Sequence, residues 1–201
     1  MSDQLHEAEE RLLSHARLFT RKEILSKPCP VPQSPGVYAW FFKAVPPGVP
    51  TDGCIAREEL TLLYVGISPK ADPKVGKPSR QTLRTRVRYH LRGNAEGSTL
   101  RLSLGCLLAE NLGIELRRVG SGKRMTFTAP GEDALSTWMN ENASVTWVEY
   151  HEPWELEAHL IKSLSLPLNL ADNDHHPFRK ELGAVRSKSR ERARKLPISL
   201  T

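Results

Sequence analysis

The chain is poor in the features that would place it in several large classes. Its 201 residues include only three cysteines, Cys29, Cys54 and Cys106. An odd, widely spaced set without a C-x-x-C pair supplies no disulfide framework. The longest apolar runs, Val37 to Phe42 and Leu60 to Ile67 (interrupted by Thr61), fall far short of the ~20 residues a membrane helix needs. The start, Met1-Ser2-Asp3-Gln4, is polar with no apolar core behind it, so no secretory signal is expected and the default compartment is the cytoplasm. No internal repeat is present. Gly120-Ser121-Gly122 lacks the Lys-Ser/Thr of a phosphate-binding loop and reads as a turn. His175-His176 lies in a polar loop without zinc-like spacing or a nearby cysteine, and reads as a surface loop or a phosphate contact. With 39% hydrophobic and 26% charged residues, the chain is neither collagenous nor disordered throughout.

What is there is positive charge, unevenly placed. The net charge is +6. Residues 67–101 carry +7 and residues 173–201 carry +5, on either side of a stretch, 102–172, that carries −5. Clustered Lys and Arg are the electrostatic footprint of a phosphate-bearing partner, against the plainer alternative of a solvated charged face. The focusing into two blocks points to nucleic acid.

The patterning predicts an amphipathic helix over 4–18, then a stiff linker set by Pro28, Pro30, Pro32 and Pro35. Strands are expected over 37–42 and 62–67, antiparallel neighbours across a Pro/Gly-rich loop at 43–59. Ser79 is the expected N-cap of a helix running to Arg92, and a second helix covers Ser98 to Asn111, ended by Gly113. Ile114–Val119 and Arg124–Thr128 suggest a hairpin, and Ser144–Tyr150 a strand. Pro153 starts a helix to about Leu164. Glu181–Lys195 forms a solvent-facing helix or is disordered.

Two of these helices place charge where charge needs a reason. On the helix ending at Arg92, Leu83, Val87 and Leu91 form the core stripe, with Arg84, Arg88 and Arg92 as an outer basic ridge. Arg86 and His90 fall on the other flank, leaning toward the sheet. A guanidinium there requires a carboxylate or a bound phosphate. On the helix from Pro153, Glu157 falls inside the apolar arc of Leu156, Leu160, Ile161 and Leu164, while Glu155, His159 and Lys162 take the polar face. Glu157 is either half of a structural pair with an arginine or a ligand for a hard cation. Tyr38 and Tyr64 lie near the centres of the first two strands, each apolar enough for the core and each with a hydroxyl to satisfy.

Together these residues resemble the GIY-YIG nuclease family. The half-motifs are Gly36-Val37-Tyr38 and Tyr64-Val65-Gly66; the family's arginine corresponds to Arg86, its glutamate to Glu157 and a downstream asparagine to Asn169, with His90 where His or Tyr often stands. The resemblance spans about residues 35–172. It implies an α/β (α+β) fold with a small, mostly antiparallel three-stranded sheet flanked by helices, here with an inserted hairpin. It also implies a metal-dependent endonuclease acting on DNA. On that reading Glu157 holds one divalent cation, Mg²⁺ or Mn²⁺, and no small-molecule cofactor or membrane is involved. Arg86 clamps a phosphate oxygen, one of Tyr38 and Tyr64 orients or deprotonates water while the other positions the phosphate, His90 assists and Asn169 braces the site. Arg84, Arg88 and Arg92, with Lys70 and Lys77 of the preceding loop, are the expected nucleic-acid contacts. The chain departs from the pattern in its long 43–60 segment and in Ile67, where some members carry a basic residue; Lys70, Lys74 and Lys77 are the available substitutes.

The expected organisation is an N-terminal helix and linker (1–34), a nuclease domain (35–172) and a basic tail (173–201). One such site cuts one strand, so double-strand cleavage calls for a homodimer or two sequential events. The alternatives are a nucleic-acid-binding module of the same fold without catalysis, and a structural domain in which Arg86 and Glu157 simply pair. They separate on one point: the nuclease requires Tyr38, Tyr64, Arg86 and Glu157 to converge.

Overall fold

The computed structural model describes residues 2–70 and 80–199. Its centre is β2 (Gly36–Phe42), every residue of which is buried. β2 pairs antiparallel with β4 (Leu60–Ser68) on one side and with β7 (Ala143–Glu149) on the other. Such a strand must be apolar on both faces, as Val37-Tyr38-Ala39-Trp40-Phe41-Phe42 is. The sheet has five strands rather than the expected three, because two-residue strands close its edges: β1 (Phe19–Thr20) beside β7 and β3 (Ala56–Arg57) beside β4. Strands that short carry no readable periodicity, and β3 hides inside the Pro/Gly-rich loop.

Alternation along β2 builds two cores. Tyr38, Trp40 and Phe42 pack with α3 (Leu83–Arg92), α4 (Thr99–Leu107) and α6 (Thr128–Asn142). Val37, Ala39 and Phe41 pack on the other face with α7 (Pro153–Ser163) and with α1 (Ser2–Glu10) and the π-helical turn that continues it, Arg11–His15. The β2–β4 register shifts between Trp40, which faces Tyr64, and Phe41, which faces Leu62, leaving Leu63 as an extra residue. This bulge lets Leu63 and Tyr64 both join the Tyr38 core while Leu62 and Val65 face α7.

Several expected elements differ in detail. α3 begins at Leu83 behind a capping box of Thr82 and Thr85; Ser79 lies outside the described residues. Ser98 caps α4, but the helix breaks at Leu108 and resumes as α5 (Ala109–Leu112), ended by Gly113 at φ +62°. α6 was not predicted: Pro130 and Gly131 in its first turn resemble a loop, yet Gly131 packs where a Cβ would meet the Phe127 side chain at 2.9 Å. The hairpin is β5 (Arg117–Val119) and β6 (Arg124–Thr126). The C-terminal segment forms α8 (Arg179–Lys195), which is not a solvated appendage: Leu182 and Ala193 are in the core. Arg118 of the hairpin donates to the carbonyls of Ala193 and Leu196, holding α8 in place. Among the described residues, no helix is long and apolar enough to cross a membrane.

Candidate active site

Both motif glycines answer to packing. A Cβ at Gly36 would lie 2.2 Å from the carbonyl oxygen of Val148 and 2.8 Å from Leu83 Cδ1. Only glycine admits β7 and the start of α3 so close. Gly66 is the direct cross-strand partner of Tyr38, and a Cβ there would lie 2.6 Å from the Tyr38 hydroxyl oxygen. The missing side chain on β4 is thus the space that Tyr38 fills.

From Tyr38 a polar chain runs inward. Tyr38 Oη lies 2.8 Å from His90 Nε2, and His90 Nδ1 lies 2.7 Å from Ser98 Oγ, which also accepts the backbone N–H of Arg101. The rings of Tyr38, Trp40 and Tyr64 surround the imidazole. Burial, with Arg86, Lys70 and Arg101 nearby, holds His90 well below the ordinary imidazole range, so it is neutral at physiological pH. Burial and the Tyr64 hydroxyl push Tyr38 well above the usual phenol range, with Arg86 pulling the other way. Tyr64 is also raised by burial; its Oη makes a 3.4 Å contact with Thr99 Oγ1.

Arg86 is 2% exposed, as its place on the inward flank of α3 foretold. One terminal nitrogen donates to the carbonyl of Gly97 at 2.8 Å, while among the described residues Nε and Nη2 have no hydrogen-bond partner. A buried guanidinium with unmet donors is costly, and its planar fork matches a phosphate or carboxylate. Glu157 does not fill it: among the described residues no hydrogen bond or ion pair is made to the Glu157 carboxylate. Among the described residues a buried ion pair lies elsewhere, between Arg101 and Glu132 at 2.6 Å.

Glu157 is half-buried on α7. Desolvation first and the Asp172 carboxylate second push its pKa up to about 7, against the pull of Lys70 and Arg86. Asp172 sits in the left-handed region at φ +56°. Its loop is anchored by Asn169, whose side chain accepts the N–H of Val65 at 3.0 Å and donates to the Val65 carbonyl at 2.9 Å. Asn169 therefore fixes the edge of β4 next to Tyr64. Glu157 in turn acts on Tyr38, Tyr64 and Lys70, and Arg86 acts on all four, so these groups form one electrostatic cluster. Partial burial and Arg86 lower the Lys70 ammonium.

The outer ridge is used differently. Arg84 Nε donates to the carbonyl of Val31 in the Pro-rich segment at 2.6 Å, and an Arg88 terminal nitrogen to that of Ile24, the last residue of the short helix α2 (Arg21–Ile24), at 3.4 Å. Arg92 is exposed, and Lys77 lies outside the described residues. His176 is buried rather than on a surface loop, accepting the N–H of Phe178 and lying 3.2 Å from Ser165 Oγ. Spacing gave no sign of Asp172, whose approach to Glu157 is made by the loop after α7, or of Thr99 beside Tyr64.

A phenol pair, a guanidinium with open donors and a carboxylate with a raised pKa thus share one cluster, with donors that match an anion and a carboxylate whose repulsion a cation would relieve. The family model for the GIY-YIG catalytic domain matches residues 36–189. The chain belongs to the GIY-YIG family, whose catalytic domains are of nuclease type. No curated protein and no solved structure matches it.

Proposed function

We propose that the protein is a metal-dependent endonuclease that hydrolyses phosphodiester bonds in DNA. The observation that carries this reading is that Arg86, with Nε and Nη2 unmet, and Glu157, with no hydrogen bond or ion pair among the described residues, lie in one cluster with both motif tyrosines. Among the described residues no group of three or more His, Cys, Asp and Glu side chains could enclose a metal. Glu157 backed by Asp172 nevertheless fits Mg²⁺ or Mn²⁺, since Mg²⁺ commonly takes one or two carboxylates, substrate phosphate and water. The mutual repulsion that raises Glu157 is what a cation relieves. Bound there, the cation supplies neutralisation of charge at the scissile phosphate.

The chain's own residues do the rest. Arg86 donates from Nε and Nη2 to non-bridging phosphate oxygens, strengthening as negative charge builds. Neutral His90 holds the Tyr38 hydroxyl, and Ser98 holds His90. In the protein alone both phenols keep their protons at neutral pH. Tyr38, fixed to His90, positions the phosphate; Tyr64, whose hydroxyl makes only the long Thr99 hydrogen bond among the described residues, is the freer to engage the attacking water. Lys70 at the rim and exposed Arg92 extend the positive surface along the strand, together with the remaining donors of Arg84 and Arg88.

The test is supercoiled plasmid incubated with wild type and Glu157→Gln in Mg²⁺, Mn²⁺ or EDTA. Metal-dependent nicking by the wild type alone is expected. Salt-sensitive binding without nicking in any metal would favour the non-catalytic binding module.

A further inference from the structure

α8 contributes a residue whose burial no contact explains. Arg186 is 9% exposed, and among the described residues its Nε has no hydrogen-bond partner and its guanidinium makes no ion pair. Arg190, one turn along the same helix, adds like charge rather than relief. The surroundings are as incompletely satisfied as the guanidinium. α8 packs along α4, where Thr99, Ser103 and Cys106 share a face at helical spacing. Cys106 lies in the same core cluster as Leu182 and Ala193 of α8, so this face is turned to α8. Thr99, at its other end, touches the Tyr64 hydroxyl. Between them Ser103 Oγ is buried without a partner. At helical spacing between Leu182 and Ala193, the other buried residues of α8, Arg186 faces this stripe, and its charge is felt at Cys106 and Tyr64. Burying Nε without a partner costs the fold free energy for which no internal contact compensates.

We propose that Arg186 is a second phosphate clamp, taking a backbone phosphate of the bound strand beside Tyr64 from the α8 side while Arg86 takes its phosphate from α3. The proposal rests on the phosphodiester substrate argued above. It makes the C-terminal helix part of the substrate cleft, through one residue rather than through diffuse positive charge.

Binding separates this role from cleavage. The full-length wild type and Arg186→Met are titrated in EDTA with a fluorescein-labelled DNA oligonucleotide across a salt series, and both are melted thermally. Arg186→Met should weaken binding about ten-fold and lower the slope of log affinity against log salt by about one. Its melting temperature should be unchanged or higher, because an unpaired buried cation has been replaced by an apolar chain. Arg186→Lys should keep the salt slope and recover only part of the affinity. Unchanged affinity and slope in Arg186→Met, or a marked fall in its melting temperature, would overturn the clamp and leave the nuclease reading standing. Failure of the wild type itself to bind the oligonucleotide would remove both.

Discussion

The Tyr38 hydroxyl occupies the place where a side chain on Gly66 would begin, 2.6 Å from the position of its Cβ. The two half-motifs are therefore one packing unit, the second vacating what the first fills. Gly66→Ala must displace a buried phenol already fixed to His90. It should destabilise the protein by about 1–3 kcal/mol and abolish cleavage, read by chemical denaturation and plasmid nicking. An alanine variant with wild-type stability and activity would refute the coupling.

Glu157 gives a pH signature with a definite sign. With its pKa at about 7 in the folded protein, the carboxylate needed for a cation is fully present only above that pH. Cleavage should rise through about pH 7 and level off, and the cation concentration required should increase below it. Stability runs the opposite way. A raised folded-state pKa favours folding below the unfolded value, and that benefit is lost as pH rises through about 7. Glu157→Gln should thus be more stable than wild type at pH 8, on the order of 1–3 kcal/mol after allowing for solvent screening, and show no such gain at pH 4. A melting-temperature difference independent of pH would contradict this.

Arg101 and Glu132 hold α4 to α6 with unusual completeness. Glu132 accepts from Arg101 Nε and Nη2 and from the backbone N–H groups of Ala95 and Phe127. Glu132→Ala leaves a fully buried guanidinium without its counter-charge, and its Nε and two amides without their acceptor, and should cost about 3–5 kcal/mol. The double variant Arg101→Met/Glu132→Leu should recover a large part of that loss in urea denaturation, since it strands no charge.

Asn169 should behave as a strand clip. Asn169→Ala removes two hydrogen bonds to Val65 and is expected to cost about 2–3 kcal/mol, with the Val65 amide becoming quick to exchange with deuterated solvent. Slow exchange at Val65 in the variant would show that the edge is held by other means.

Local pattern made the centre of the fold readable and left its long-range pairings hidden. β2 and β4 are apolar runs between Pro/Gly segments, and α3 and α7 show their buried faces at helical spacing, so Arg86, His90 and Glu157 stood out as charges on inward surfaces. The Arg101–Glu132 bridge joins helices 31 residues apart, and no local spacing marks it. α6 was obscured by Pro130 and Gly131, which are usual in turns but here start a helix. α8 looked like a solvated tail because its composition is strongly basic. Only its packing shows Leu182 and Ala193 inside, and consequently residues 179–201 cannot be removed without opening the core.

The outer margin of β4 has one more property. β3 covers only Leu60 and Thr61, and farther along the strand the chain covers its own hydrogen-bonding groups: Leu168 donates to the Leu63 carbonyl, and the Asn169 amide takes both backbone groups of Val65. A long apolar strand at the rim of a sheet is a template for cross-chain zippering and fibril growth. Here the template is spoiled by a side-chain amide imitating a neighbouring strand, which makes Asn169 a guard against self-association as well as a brace beside Tyr64.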